Sequence, residues 1–353
     1  MIPERIRRLK PYKTETSRAK VRLSSNELPY PVPEHLRKRI AEEIARVPFE
    51  RYPDPTASEL KEVLGEFFGV REENIVLGNG SDELIYYLSA VVGDVGGIYT
   101  PVPTFPMYEI SADVMGRKKV TVPLTADFDI DLESSLGLAD MYSLAYFAFP
   151  NNPTGNLFSR DRIRKIRERG VFVVLDEAYY HYSGETFLED ALRREDTAVL
   201  RTLSKIGMAG LRVGVLIAKE EVAREINKVR LPFNITYPSQ VIAKVMLTEG
   251  REFIEESVEK VVTERERVFR ELATIEGVEP FPSRANFILF RTPYPADAVH
   301  SRMLSYGVLV RDVSYMPRLE RCLRVSVGRP EENDAFLEAL YRSVRDLGQR
   351  FAG

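Results

Sequence analysis

Seven short apolar runs mark the first two thirds of the chain: residues 74–77, 97–100, 119–122, 144–149, 171–175, 198–202 and 213–218. Helical spacing fills most of the gaps between them, as at 104–115 and 160–169. Strands that are apolar throughout, rather than alternating, are strands buried on both faces. The pattern predicts an α/β fold, a mostly parallel seven-stranded sheet between helices. Ligand sites in such sheets gather beyond the carboxyl ends of the strands.

The flanks read differently. Residues 1–33 carry Pro3, Pro11, Pro29, Pro31 and Pro33 and no sustained period, so they form an arm laid over something else. Leu36, Ile40 and Ile44 then recur at helical spacing through 34–47. After the turn-rich 51–55, Ser58 is placed to cap a helix reaching Phe68. Beyond Lys219 come two amphipathic helices, 237–247 and 252–275, the second with Ile254, Val258, Val261, Val268 and Leu272 on one stripe. Strands at 287–290, 308–310 and 323–327, a helix at 295–306 and a closing helix from Glu331 complete a smaller α+β unit. The expected organisation is an arm and helix (1–47) associated with the small domain, a large domain (48–235) and a C-terminal small domain (236–353).

Composition narrows the partners. The 50 Lys and Arg nearly balance 53 Asp and Glu, a net charge of −3 that argues against nucleic acid or an anionic membrane as the main partner. Cys322 is the sole cysteine, which excludes an intramolecular disulfide framework and fits a reducing, cytoplasmic setting. No stretch has the length of a membrane span, and residues 1–8 lack a signal-peptide core. Any anionic ligand must therefore meet locally clustered arginines.

Four junctions carry candidate chemistry. Strand, Gly78-Asn79-Gly80 turn and a helix opening at Ser81-Asp82-Glu83 form an anion cradle, in which free amides and the helix dipole face the turn; Ser81 could instead be a plain N-cap. Asn151-Asn152-Pro153-Thr154-Gly155 follows one strand, where a simple turn is the alternative. Asp176 closes another, and a carboxylate there needs a positive partner unless it merely caps the next turn. Lys205 sits between two strands at a glycine-broken junction. Its amine could form a Schiff base with a carbonyl compound, and Arg212 offers a fork for a phosphate.

Taken jointly, Asn152 in Asn-Pro-Thr-Gly, Asp176 with Tyr179 in Asp-Glu-Ala-Tyr, and Ser204-Lys205 with Arg212 resemble the class I/II, fold-type I pyridoxal-phosphate aminotransferases. Leu9-Lys10-Pro11-Tyr12, Leu23-Ser24-Ser25-Asn26-Glu27, Arg51-Tyr52-Pro53 and Gly80-Ser81-Asp82-Glu83 look like the histidinol-phosphate branch of that family, over residues 9–340.

The resemblance implies pyridoxal 5′-phosphate held by Lys205, which also shuttles the proton. It implies Asp176 on the pyridinium nitrogen, Asn152 and Tyr179 on the phenolic oxygen, and Phe105 stacked on the ring. The phosphate would rest on Gly80, Ser81 and Asp82, with Ser204, Arg212 and Tyr52, the last reaching in from the second subunit of a homodimer. Arg324 would hold the substrate carboxylate, Arg311 a distal anion, and Tyr12 would close over the substrate.

The implied reaction exchanges an amino group between L-histidinol phosphate and 2-oxoglutarate. An aromatic amino-acid aminotransferase and a pyridoxal-phosphate decarboxylase or lyase of phosphorylated amino acids are the alternatives. One departure bears on Arg212. It lies seven positions after Lys205 where eight are usual, so the loop between them must take a shorter path.

Overall fold

The computed structural model describes residues 1–9, 17–93 and 96–351. A seven-stranded sheet runs in the order Ile75–Asn79, Val213–Ile217, Thr197–Thr202, Phe172–Asp176, Tyr142–Ala148, Gly97–Val102, Lys119–Pro123. Neighbours are parallel except for Val213–Ile217, which is antiparallel to both of its partners. The reversal has a simple cause. A parallel crossover needs a dozen or more residues, and only Leu203–Arg212 separates Thr202 from Val213. That chain folds into two short 3-10 turns, Leu203–Lys205 and Ala209–Leu211, and returns beside the strand it left, pairing Thr202 with Gly214.

Side chains alternate between two buried faces. Val173, Leu175 and Val199 pack in one apolar cluster, while Val174, Ala198 and Leu200 join Leu84, Leu88 and Tyr146 in another. Helices Ser81–Val91 and Met107–Met115 cover the second cluster. Burial on both sides is why these strands read as unbroken apolar runs.

The C-terminal sheet of four strands is antiparallel, in the order Arg311–Asp312, Cys322–Ser326, Phe287–Arg291, Glu279–Pro280. The single strand expected at 308–310 is two pieces. Val308–Leu309 pairs in parallel with Val21–Arg22 of the arm, and Arg311–Asp312 pairs with the larger sheet. The arm thus enters the C-terminal core, with Leu23 among Ile288, Val325 and Phe336. Helices Glu34–Ile44 and Tyr237–Thr248 instead set Leu36 and Met246 against Leu60, Leu64 and Val215, and Lys244 pairs with Glu59 at 2.5 Å. Packing therefore crosses both of the expected boundaries, after 47 and after 235.

Two caps differ from expectation. Ser58 is already the first helical residue; the Asp54 carboxylate accepts its N–H at 2.7 Å and that of Thr56 at 2.9 Å. Ser81 likewise lies inside its helix, and the cap position belongs to Gly80. In both places the capping geometry lies one or more residues upstream of the serine. Among the described residues no helix is long and apolar enough to cross a membrane.

Candidate active site

Register brings the candidates together. Ala148, Asp176 and Leu200 are cross-strand neighbours at the carboxyl edge of the large sheet. The chain beyond each carries Asn152, Tyr179 and Lys205, and all three line one cleft of about 350 Å³ between the large sheet and the C-terminal sheet.

At one end Ser81, Asp82, Ser204 and Arg212 line the cleft. Despite the shortened loop, Arg212 reaches it by taking a left-handed backbone (φ 54°), and its guanidinium donates to Asp82 Oδ2 at 2.9 Å. Gly80 differs from its expected role. Its N–H donates to the Arg212 carbonyl at 2.7 Å, so that amide is committed to the fold. Gly80 is required for two other reasons: its φ is +76°, and an added Cβ would lie 2.4 Å from Arg212 Nη2. Gly214 is as constrained, because a Cβ there would sit 2.3 Å from the Ser81 nitrogen. Cradle and loop are therefore pressed backbone to backbone.

In the middle lies Asp176, only 5% exposed. Tyr108 donates its hydroxyl to Oδ2 at 2.7 Å and the Ala178 N–H donates to Oδ1 at 3.2 Å. Burial pushes the carboxyl up to about 6 in spite of these two donors. Lys205 shifts the other way. Burial first, and then the Arg324 charge, pull its amine down to about 8, and Nζ donates to the Ser25 carbonyl at 3.3 Å. Phe105 lines the same region.

At the mouth stand Arg311 and Arg324. Arg324 ties three segments together. It donates to Asn152 Oδ1 at 2.5 Å and to the Ser24 carbonyl at 2.7 Å, and it lies over the Phe287 ring at 5.2 Å. Tyr179 Oη accepts from Asn26 Nδ2 at 2.9 Å, and Asn26 is fixed in turn by Ser326 Oγ, which donates to its Oδ1 at 2.8 Å.

One expected contributor does not line this cleft, and another cannot be placed. Tyr52 is 79% exposed and stacks on Phe233, with ring centroids 4.5 Å apart, rather than lining the cleft of its own chain. Tyr12 lies outside the described residues. Reasoning from sequence missed Ser24, Asn26 and Tyr108. The polarity of Leu23-Ser24-Ser25-Asn26 was the available signal for the first two, since no simple core strand reads that way. Nothing marked Tyr108 among the apolar positions of its helix.

These groups match a definite ligand chemistry. A buried carboxylate suits a protonated ring nitrogen, an amine of lowered pKa suits an aldehyde, an aromatic face suits a flat ring, and an arginine beside a helix N-terminus suits a phosphate. Comparison with known proteins agrees. The model of the aminotransferase class I and II family matches residues 18–340, and the chain belongs to that family.

Within the family, the similarity is to histidinol-phosphate aminotransferases. The chain is 66% identical to the one from Aquifex aeolicus over 98% of this chain and 99% of that protein. It is 42% identical to the one from Hydrogenobaculum sp. over 96% and 97%. Among solved structures, the histidinol-phosphate aminotransferase of Sinorhizobium meliloti in complex with pyridoxal-5′-phosphate superposes with a TM-score of 0.86 at 25% identity, over 98% of each chain.

Proposed function

We propose that the chain is a pyridoxal-phosphate-dependent aminotransferase that converts L-histidinol phosphate and 2-oxoglutarate to imidazole acetol phosphate and L-glutamate. The observation that carries this reading is the convergence of Lys205, Asp176 and Arg212 on one cleft. When bound, pyridoxal phosphate supplies an aldehyde that captures amines and a ring that takes up the electron pair left at the substrate α-carbon.

The chain's own residues do the rest. Lys205, held near pKa 8, reaches its neutral form close to physiological pH, so Nζ can attack a carbonyl and then carry a proton away from the substrate α-carbon. Asp176 would hold the ring nitrogen's proton by charge. Asn152 and Tyr179 would hydrogen-bond the ring's phenolic oxygen, and Phe105 would support the ring face. Ser81, Asp82, Ser204 and Arg212 form the phosphate cup. Arg324 and Arg311 serve both half-reactions, because an arginine fork fits the carboxylates of glutamate and the phosphate of the amino alcohol alike.

Single half-reactions followed by cofactor absorbance decide the substrate. L-histidinol phosphate and L-glutamate should each convert the cofactor stoichiometrically. Conversion by aromatic amino acids but not by histidinol phosphate reassigns the enzyme as an aromatic aminotransferase. Carbon dioxide release with no keto-acid requirement makes it a decarboxylase.

The active form in this reading is a homodimer with composite sites. Phe49, Tyr52, Val229, Leu231 and Phe233 expose apolar surface, and Tyr52 stacks on Phe233 within it. Solvent-exposed apolar side chains grouped in this way mark an interface. Tyr52 then completes the partner's phosphate cup. Co-refolded Tyr52→Ala and Lys205→Ala chains should show more turnover than the two parents summed, since each hybrid dimer has one site with neither defect. Activity equal to the sum places Tyr52 in its own chain's function.

A further inference from the structure

Asp176 ends its strand at the floor of the cleft, and the side chain that donates to it comes from a different element. Tyr108, on helix Met107–Met115, is fully buried, and its hydroxyl lies 2.7 Å from Asp176 Oδ2. The Ala178 N–H engages the other oxygen, so each carboxylate oxygen keeps a lone pair for the cleft. Among the described residues, Tyr179, Tyr146, Asp82 and Lys205 are the other titratable groups that face this carboxylate or its hydroxyl partner.

Tyr108 is held on every side. Its ring stacks on Tyr146 with centroids 4.9 Å apart and planes 3° from parallel, and it meets the Phe105 ring edge to face at 5.6 Å. Tyr146 is pinned in turn, donating to the Ile85 carbonyl at 3.0 Å and lying 2.9 Å from Ser89 Oγ. Ser89 Oγ is 2.8 Å from Ser111 Oγ, which donates back to the Tyr108 carbonyl at 2.8 Å. A buried polar chain with partners throughout fixes one geometry. Swinging the ring away from Asp176 would break the stack on Tyr146, and the polar chain holds both Tyr146 and the Tyr108 backbone in place.

We propose that Tyr108 is the positioning residue for Asp176: its hydroxyl sets the rotation of the carboxylate and keeps it an ionised acceptor aimed at the cofactor's ring nitrogen. The inference rests on the cofactor reading above. A hydrogen bond to the charged form of an acid favours that form, which counters the burial that disfavours it. A tyrosine hydroxyl suits the task. Burial, with the Asp176 charge second, raises the Tyr108 hydroxyl well above its ordinary value, so it stays a donor throughout the working pH range. The contact with Phe105 links the ring's platform to the same support.

Two replacements test this with opposite signs. Tyr108→Phe keeps both ring contacts and removes the donor. Difluorotyrosine introduced at position 108 keeps the ring and makes the hydroxyl a stronger donor. The Asp176 carboxyl is followed by carbon-13 NMR in the cofactor-free full-length chain, assigned with Asp176→Asn. It should titrate about one unit higher in the Phe variant and lower in the difluorotyrosine variant.

In the loaded enzyme, the nitrogen-15 signal of the labelled cofactor ring should move toward unprotonated pyridine with Phe. Turnover should fall about tenfold, the equivalent of one unit, with KM nearly unchanged. An Asp176 titration that stays in place in the Phe variant, or that moves the same way in both, overturns the proposal. If the Phe variant does not fold, an unchanged titration with difluorotyrosine overturns it alone. Failure of the unmodified chain to bind pyridoxal phosphate would defeat the cofactor reading instead, while the cofactor-free titration still decides whether Tyr108 governs Asp176.

Discussion

Lys205→Ala is expected to leave the protein folded, to erase the visible absorption of the bound cofactor and to lower turnover by at least about 10⁴-fold. The fold tolerates the change because Lys205 lies on a short 3-10 turn whose framework is made by others. Ile206 and Leu203 are buried beside it, and Tyr182 donates to its carbonyl at 2.5 Å. Among the described residues the amine makes one hydrogen bond, to the Ser25 carbonyl, and lies over the Tyr179 ring. Alanine therefore removes the proposed nucleophile and proton carrier at little structural cost. Circular dichroism, an absorption spectrum and a turnover assay on the same preparation check all three parts. A variant that keeps the parent spectrum removes Lys205 from its role.

Asp176→Asn is expected to retain cofactor but to lower turnover by about 10²–10³-fold, roughly 3–4 kcal/mol, as for other preorganised charges. In the proposed role the Asp176 charge keeps the ring nitrogen protonated, and an amide supplies no such charge.

The same substitution has a signature in the cofactor-free protein. Burial raises the Asp176 carboxyl from 3.8 to about 6 in the folded state. Between those values the folded protein holds a proton that the unfolded chain has released. Stability should then fall as pH rises from about 4 to about 6, by at most roughly 3 kcal/mol. Asp176→Asn should flatten that part of the profile. Denaturant titrations at several pH values compare the two proteins, and equal slopes would count against the buried, raised carboxyl.

Much of this site was legible because its residues stand next to strong patterns. Asp176 ends an apolar strand, Asn152 follows another, and Lys205 interrupts two, so a rule about strand ends located all three without any knowledge of contacts. Helix Ser58–Phe68 was readable to its ends because Leu60, Leu64 and Phe68 keep the helical period.

What escaped depends on long-range contact or backbone geometry. Asn26 meets Ser326 across 300 residues of chain, and no local pattern records that. Tyr108 looks like one more apolar position on its helix, although its hydroxyl does the polar work. The antiparallel return of Val213–Ile217 follows from loop length, which the apolar pattern does not register. Both helix starts were readable, but the caps at Ser58 and Ser81 were not: Ala57 and Gly80 hold the cap positions, and the Asp54 carboxylate takes up the Ser58 N–H.

In the proposed enzyme the Lys205 amine joins the cofactor's aldehyde carbon. Reductive trapping of the pyridoxal-phosphate-loaded protein, followed by tryptic digestion and mass spectrometry, tests that bond directly. The cofactor's mass should appear on the peptide from Thr202 to Arg212, left uncut at Lys205. Trapped mass on any other lysine, or none at all in protein that has bound the cofactor, would contradict it.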